Sequence, residues 1–158
     1  MRSAALAVGV AILLAPGGLD GQSAPPGLEG AWRVTEVVTG GQTLASPQPG
    51  LLLVAGRYYS YTFVTSEEPR PDVPAGAVTA EVLAAVWNPF TANAGTFELS
   101  GNTMTRRPIV AKSPAAMAPG AFNEYTFRLS ADTLWVTPTR TEAGAVRSPT
   151  TVKYVRAR

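Results

Sequence analysis

From Gly30 onward the chain is cut into short runs of Val, Thr, Tyr, Phe and Trp by Gly, Pro, Ser and Asn, and this texture constrains the fold more than any other feature. β-Branched and aromatic residues suit a pleated, half-buried surface, and the intervening residues supply turns. Eight strands are predicted, over 31–39, 51–54, 57–65, 95–99, 103–110, 122–129, 133–137 and 151–156. Ser100-Gly101-Asn102 and Ser130-Ala131-Asp132 are short enough to be hairpin connections.

One segment departs from this pattern. Residues 79–87 (Thr-Ala-Glu-Val-Leu-Ala-Ala-Val-Trp) are rich in helix formers. Thr79 can cap the first turn, Glu81 sits where the helix dipole favours an acid, and Asn88-Pro89 stops the helix. Val82, Ala85, Val86 and Phe90 share one side, which a short helix would bury by lying over one end of the sheet.

Sequential strands joined mostly by hairpins predict an all-β, eight-stranded antiparallel up-and-down barrel, with the short helix between the third and fourth strands. Closing the sheet removes the edges that an open one would expose. An interior of eight strands is just wide enough to be filled by side chains or to hold one small molecule. A two-sheet sandwich is the alternative architecture.

The first residues carry one cation, Arg2, then an apolar and small-residue run from Ser3 to Ala15, then Pro16-Gly17-Gly18. A run shorter than the roughly 20 residues of a membrane span, with a charged start and small residues after it, has the form of a secretory signal. A retained anchoring helix is the other reading. Residues 1–23 are thus expected to be a signal peptide and 24–29 a linker with too little apolar content to pack, leaving a barrel domain over 30–158. The product would be periplasmic or secreted, with no integral membrane span in the mature chain.

Removing 1–23 takes away Arg2 and Asp20 together, so the net charge stays at +2. That small excess gives no case for a nucleic-acid partner, which needs a clustered basic face. Cysteine and histidine are both absent. Disulfide staples, Ser-His-Asp and Cys-His catalysis, and His or Cys metal sites are therefore excluded, and no cofactor is expected. Carboxylates, Tyr, Arg, Lys, Ser and Thr remain for chemistry.

Three stretches carry a resemblance. Gly30-Ala31-Trp32 opens the first strand as Gly-x-Trp opens lipocalins. Residues 94–105 (Ala-Gly-Thr-Phe-Glu-Leu-Ser-Gly-Asn-Thr-Met-Thr) and 127–136 (Phe-Arg-Leu-Ser-Ala-Asp-Thr-Leu-Trp-Val) follow in matching order and spacing. Together they resemble the bacterial lipocalin-like domain family over about residues 28–156. Typical lipocalins add a helix after the eighth strand and often a disulfide, and this chain has neither. The resemblance implies a lipocalin-like barrel whose closed end is plugged by Trp32 and crossed by a basic residue of the last strand, Arg156, with Lys153 as the alternative. It implies little about chemistry.

Strand alternation then sorts side chains into faces. With Trp32 inward, Val34, Glu36 and Val38 follow it, placing a carboxylate in an apolar row unless it lies near a solvated rim. Tyr59, Tyr61 and Phe63 share a face, as do Tyr125, Phe127 and Leu129. Arg106 and Arg107 must point opposite ways. Met104 favours Arg106 as the inward one and Ile109 favours Arg107, and an inward arginine could pair with Glu36 or meet an anionic ligand. The expected ligand-binding set is Glu36, Tyr59, Tyr61, Phe63, Arg106, Tyr125 and Phe127. The function expected is binding of a small, mostly apolar or amphipathic molecule inside the barrel. The alternatives are a filled barrel acting as a structural or protein-interaction module, and a cofactor-free isomerase or cyclase using Glu36 with a tyrosine or arginine.

Overall fold

A computed structural model of the chain describes residues 26–73, 76 and 78–158. The expected signal peptide lies outside the described residues. Within them the strands are β1 (Gly30–Thr39), β2 (Gln42–Leu44), β3 (Gly50–Ala55), β4 (Tyr58–Val64), β5 (Phe90–Ser100), β6 (Thr103–Ala111), β7 (Asn123–Ser130), β8 (Thr133–Thr141), β9 (Gly144–Ala145) and β10 (Thr150–Arg156). Three connections, β3 to β4, β5 to β6 and β7 to β8, are two-residue hairpins. Each opens on a residue of positive φ, respectively Gly56, Gly101 and Ala131, which matches the twist of the flanking strands.

Pairing runs in the order β10-β1-β3-β4-β5-β6-β7-β8, and β8 pairs back to β10, so eight antiparallel strands form a closed barrel. The short β2 and β9 are additions on β1 and β8 that alternation alone did not separate. The helix α1 (Ala80–Trp87) follows β4. Its start is as expected, with Thr79 Oγ1 accepting from the Val82 backbone N–H at 3.3 Å. Its apolar side does not cover a barrel end: no residue of α1 is buried, and Leu83 and Trp87 are more than half exposed. The helix is held instead at its C-terminus, where the Lys112 ammonium donates to the carbonyls of Trp87 and Asn88. Among the described residues no helix is long and apolar enough to cross a membrane.

The core gathers at one end. Leu28, Trp32, Leu52, Met104 and Leu134 are fully buried, with Val54, Phe97 and Val136 around them. Leu28 corrects the expected linker, because the last residues before β1 turn back under the barrel and plug it. The Trp32 indole N–H donates to the Leu28 carbonyl at 2.9 Å, so burial of the indole leaves its one donor satisfied. The Arg156 guanidinium lies 4.2 Å from the Trp32 ring centre. It donates to the carbonyls of Glu29 and Gly27 and to the Asp132 carboxylate, tying the entering chain, the final strand and the β7–β8 turn together. Trp32 and Arg156 face each other across the β1–β10 pair. Lys153, the other cation considered for this place, lies elsewhere, opposite Glu36.

Candidate functional site

Two irregularities set the faces of the strands that line the interior. The first is a bulge in β1: Val34 pairs with Tyr154 and Glu36 with Lys153, leaving Thr35 as the extra residue. A bulge shifts the side-chain alternation by one. Beyond it Val37 and Thr39 point into the barrel, and Glu36 does not. Glu36 instead lies 3.6 Å from the Lys153 ammonium in a partly exposed ion pair. This corrects the inward assignment of Glu36 and removes the carboxylate on which an isomerase or cyclase reading rests.

The second irregularity, in β6, comes after Arg107. Gly95 pairs with Pro108 and Ala94 with Val110, so Ile109 is the extra residue and is largely exposed. Before the bulge the strand is regular, and Met104 and Arg106 share the inner face. Arg106 is 3% exposed. Arg107 points outward, 3.8 Å from Glu98.

Above the closed end the interior opens into a cavity of about 350 Å³. Its body is apolar, formed by Val37, Leu44, Phe63, Val136, Pro138 and Val152, and its mouth carries Thr39, Thr65, Ser66 and Thr150. Tyr61, Arg106, Tyr125 and Tyr154 also line it, and Arg106 is the one charged lining residue among those described. Of the expected set, Tyr61, Phe63, Arg106 and Tyr125 therefore meet around one space. Tyr59 and Phe127 pack into the core and do not line the cavity, though Tyr59 touches Arg106 from behind.

The arginine is wrapped in aromatic rings. Its guanidinium carbon lies 4.5 Å from the ring centre of Tyr125, 4.9 Å from Tyr59 and 5.6 Å from Tyr61. Nε donates to the Met104 sulfur at 3.2 Å, a weak acceptor. Nη2 is buried and has no hydrogen-bond partner. The ion pairs among the described residues join other groups and leave Arg106 without a carboxylate. Each ring contact is worth about 0.5–2 kcal/mol, whereas withdrawing a single charge from water costs several kcal/mol even after relaxation. The cage thus offsets only part of the cost, and the unmatched Nη2 adds to it.

Tyr59, Tyr125 and Tyr154 cannot supply the missing negative charge near neutral pH. Burial pushes the hydroxyls of Tyr59, Tyr125 and Tyr154 up, Tyr154 to about 12, while the Arg106 charge pulls the other way without overcoming it. Tyr59 also donates to the Asn93 side-chain oxygen. The sign of the resulting pH dependence is fixed. A phenol whose pKa is higher folded than unfolded contributes stability that is fully present below the unfolded value, about 10. That stability is lost as pH rises toward the folded value, at about 1.4 kcal/mol per pH unit for each such residue. The urea midpoint should therefore stay flat up to about pH 9.5 and fall steeply above 10. In Tyr154→Phe the fall should be visibly shallower, and an equal slope in both proteins would contradict the assigned burial effect.

Val37, Leu44, Pro138, Val152 and Tyr154 were not among the residues expected at the site. Tyr154 was within reach, since it alternates with Arg156 on β10. Val37 was hidden by the Thr35 bulge, and Leu44 by the brevity of β2. Comparison with protein-family models, characterised proteins and solved structures finds no match to this chain.

Proposed function

We propose that this protein binds a small, mostly apolar molecule inside its barrel. The observation that carries the reading is the cavity of about 350 Å³, with an apolar body, a hydroxyl-bearing mouth and one buried cation. A concave, largely apolar space with a few convergent polar groups is the usual form of a small-molecule site, and its volume lies in the roughly 300–1,000 Å³ range of such sites. It also argues against a filled barrel with a purely structural role. The arrangement suits a lipocalin-like carrier, and the Arg2 to Ala15 segment supports export to the periplasm or beyond.

The neutral dye N-phenyl-1-naphthylamine tests the reading without invoking charge. Its fluorescence should rise on binding, and Val152→Phe, which fills the cavity from β10, should abolish the rise while circular dichroism shows an unchanged β-fold. Dye binding that survives in a folded Val152→Phe protein would place the ligand elsewhere.

A further inference from the structure

We infer that the ligand is an amphipathic carboxylate whose head group sits on Arg106 and whose apolar tail runs toward the mouth of the barrel. This rests on reading the interior as a binding cavity, and it specifies what that cavity selects. The guanidinium is almost wholly buried, lines the cavity and has a buried Nη2 with no acceptor. Ionised groups are tolerated inside a protein when paired and hydrogen-bonded. Within the described residues Arg106 has no carboxylate partner, and the hydroxyl that stands beside it, that of Tyr125, is neutral. The arginine's one hydrogen bond of regular geometry goes to a thioether sulfur, the nearest candidate acid on β1 is turned outward by a bulge, and burial keeps the Tyr125 and Tyr154 hydroxyls protonated. The missing charge is therefore expected from the guest.

The chemistry of the head group follows from the count of charges. One cation in an otherwise uncharged lining balances one negative charge. A phosphate monoester carries about 1.5–2 negative charges at neutral pH and would leave an excess in the apolar space. A carboxylate carries one, and its planar pair of oxygens suits the guanidinium N–H groups. Beyond the head, Phe63, Val136 and Val152 offer only apolar contacts, so the remainder of the molecule is hydrocarbon in character.

Decanoate and decan-1-ol separate head from tail, and both can be measured by displacement of N-phenyl-1-naphthylamine from the full chain near neutral pH. Decanoate should bind the wild-type protein about 10- to 100-fold more tightly than the alcohol, the worth of a buried charge-assisted hydrogen bond. Arg106→Met should bring decanoate down to the affinity that the same variant has for the alcohol. Equal binding of the two by the wild type overturns the carboxylate while leaving the cavity reading standing. Failure of the dye, the alcohol and the acid alike overturns both.

A wild-type pH series guards against a variant that does not fold. Only the anion has the preference, so the advantage of decanoate should shrink about tenfold per pH unit below the free acid's pKa. An advantage of the same size near pH 4 and near pH 7 overturns the inference.

Discussion

Trp32→Ala is expected to lower the unfolding free energy by about 3–5 kcal/mol, the cost of emptying a fully buried indole site. Trp32 is inaccessible to solvent and touches both the segment that enters the barrel and the strand that closes it. Truncation removes three things together: apolar burial, the hydrogen bond to the Leu28 carbonyl and the aromatic face under Arg156. Leu28, which the indole holds in place, then loses its neighbour in the plug. Since domains are stable by only about 5–15 kcal/mol, such a loss should shift the urea midpoint strongly. Arg156→Ala should cost less, about 2 kcal/mol, because the indole stays buried and only the stacking and the peripheral hydrogen bonds go. The two changes should be less than additive, since each removes the same stacking contact. A loss under about 1 kcal/mol for Trp32→Ala would mean that the plug contributes little and that strand pairing alone closes the barrel.

How much of this was legible in the sequence depended on whether a strand stayed regular. Where it did, alternation located the faces: Tyr61 and Phe63 on β4, and Met104 and Arg106 on β6, point inward, and Arg107 points out. The helix start at Thr79 was equally readable, because capping is a local interaction between a hydroxyl and a backbone N–H three residues on. Glu36 was misplaced by one extra residue, Thr35. No composition signal marks that bulge, because Thr suits either conformation and the bulge is imposed by the β10 partner 118 residues away in the chain. Leu28 was missed for a different reason. Pro25-Pro26-Gly27 has the composition of a linker, and what makes Leu28 a core residue is its packing with Trp32 at the end of the barrel, a contact that exists only once the barrel has closed. The cavity itself left no sequence signal beyond its aromatic rows, since an apolar inner face looks the same whether it packs against side chains or against space.

Gly95→Ala should prove nearly as damaging as the loss of Trp32, for a reason that connects the fold to the cavity. A methyl group at this position would lie 2.0 Å from the Arg107 carbonyl oxygen and 2.8 Å from the Pro108 Cα. These are backbone atoms, so no side-chain rotation relieves the clash, and β5 and β6 must separate beside the Ile109 bulge. Gly within a strand commonly marks such a close backbone approach. Overpacking costs about 1–3 kcal/mol and occasionally more, and a main-chain clash at 2.0 Å belongs at the upper end. Gly101→Ala is the control: it replaces the turn glycine that joins the same two strands, but its added Cβ meets nothing within 4 Å, and its cost is that of a left-handed alanine, about 1–2 kcal/mol. If the two substitutions cost the same, the close approach at Gly95 is not a real constraint. If Gly95→Ala costs more, decanoate binding by the folded fraction should weaken too, while after Gly101→Ala it should not. The register that Gly95 permits is what holds Arg106, two residues before Pro108, on the inner face between Tyr59, Tyr61 and Tyr125.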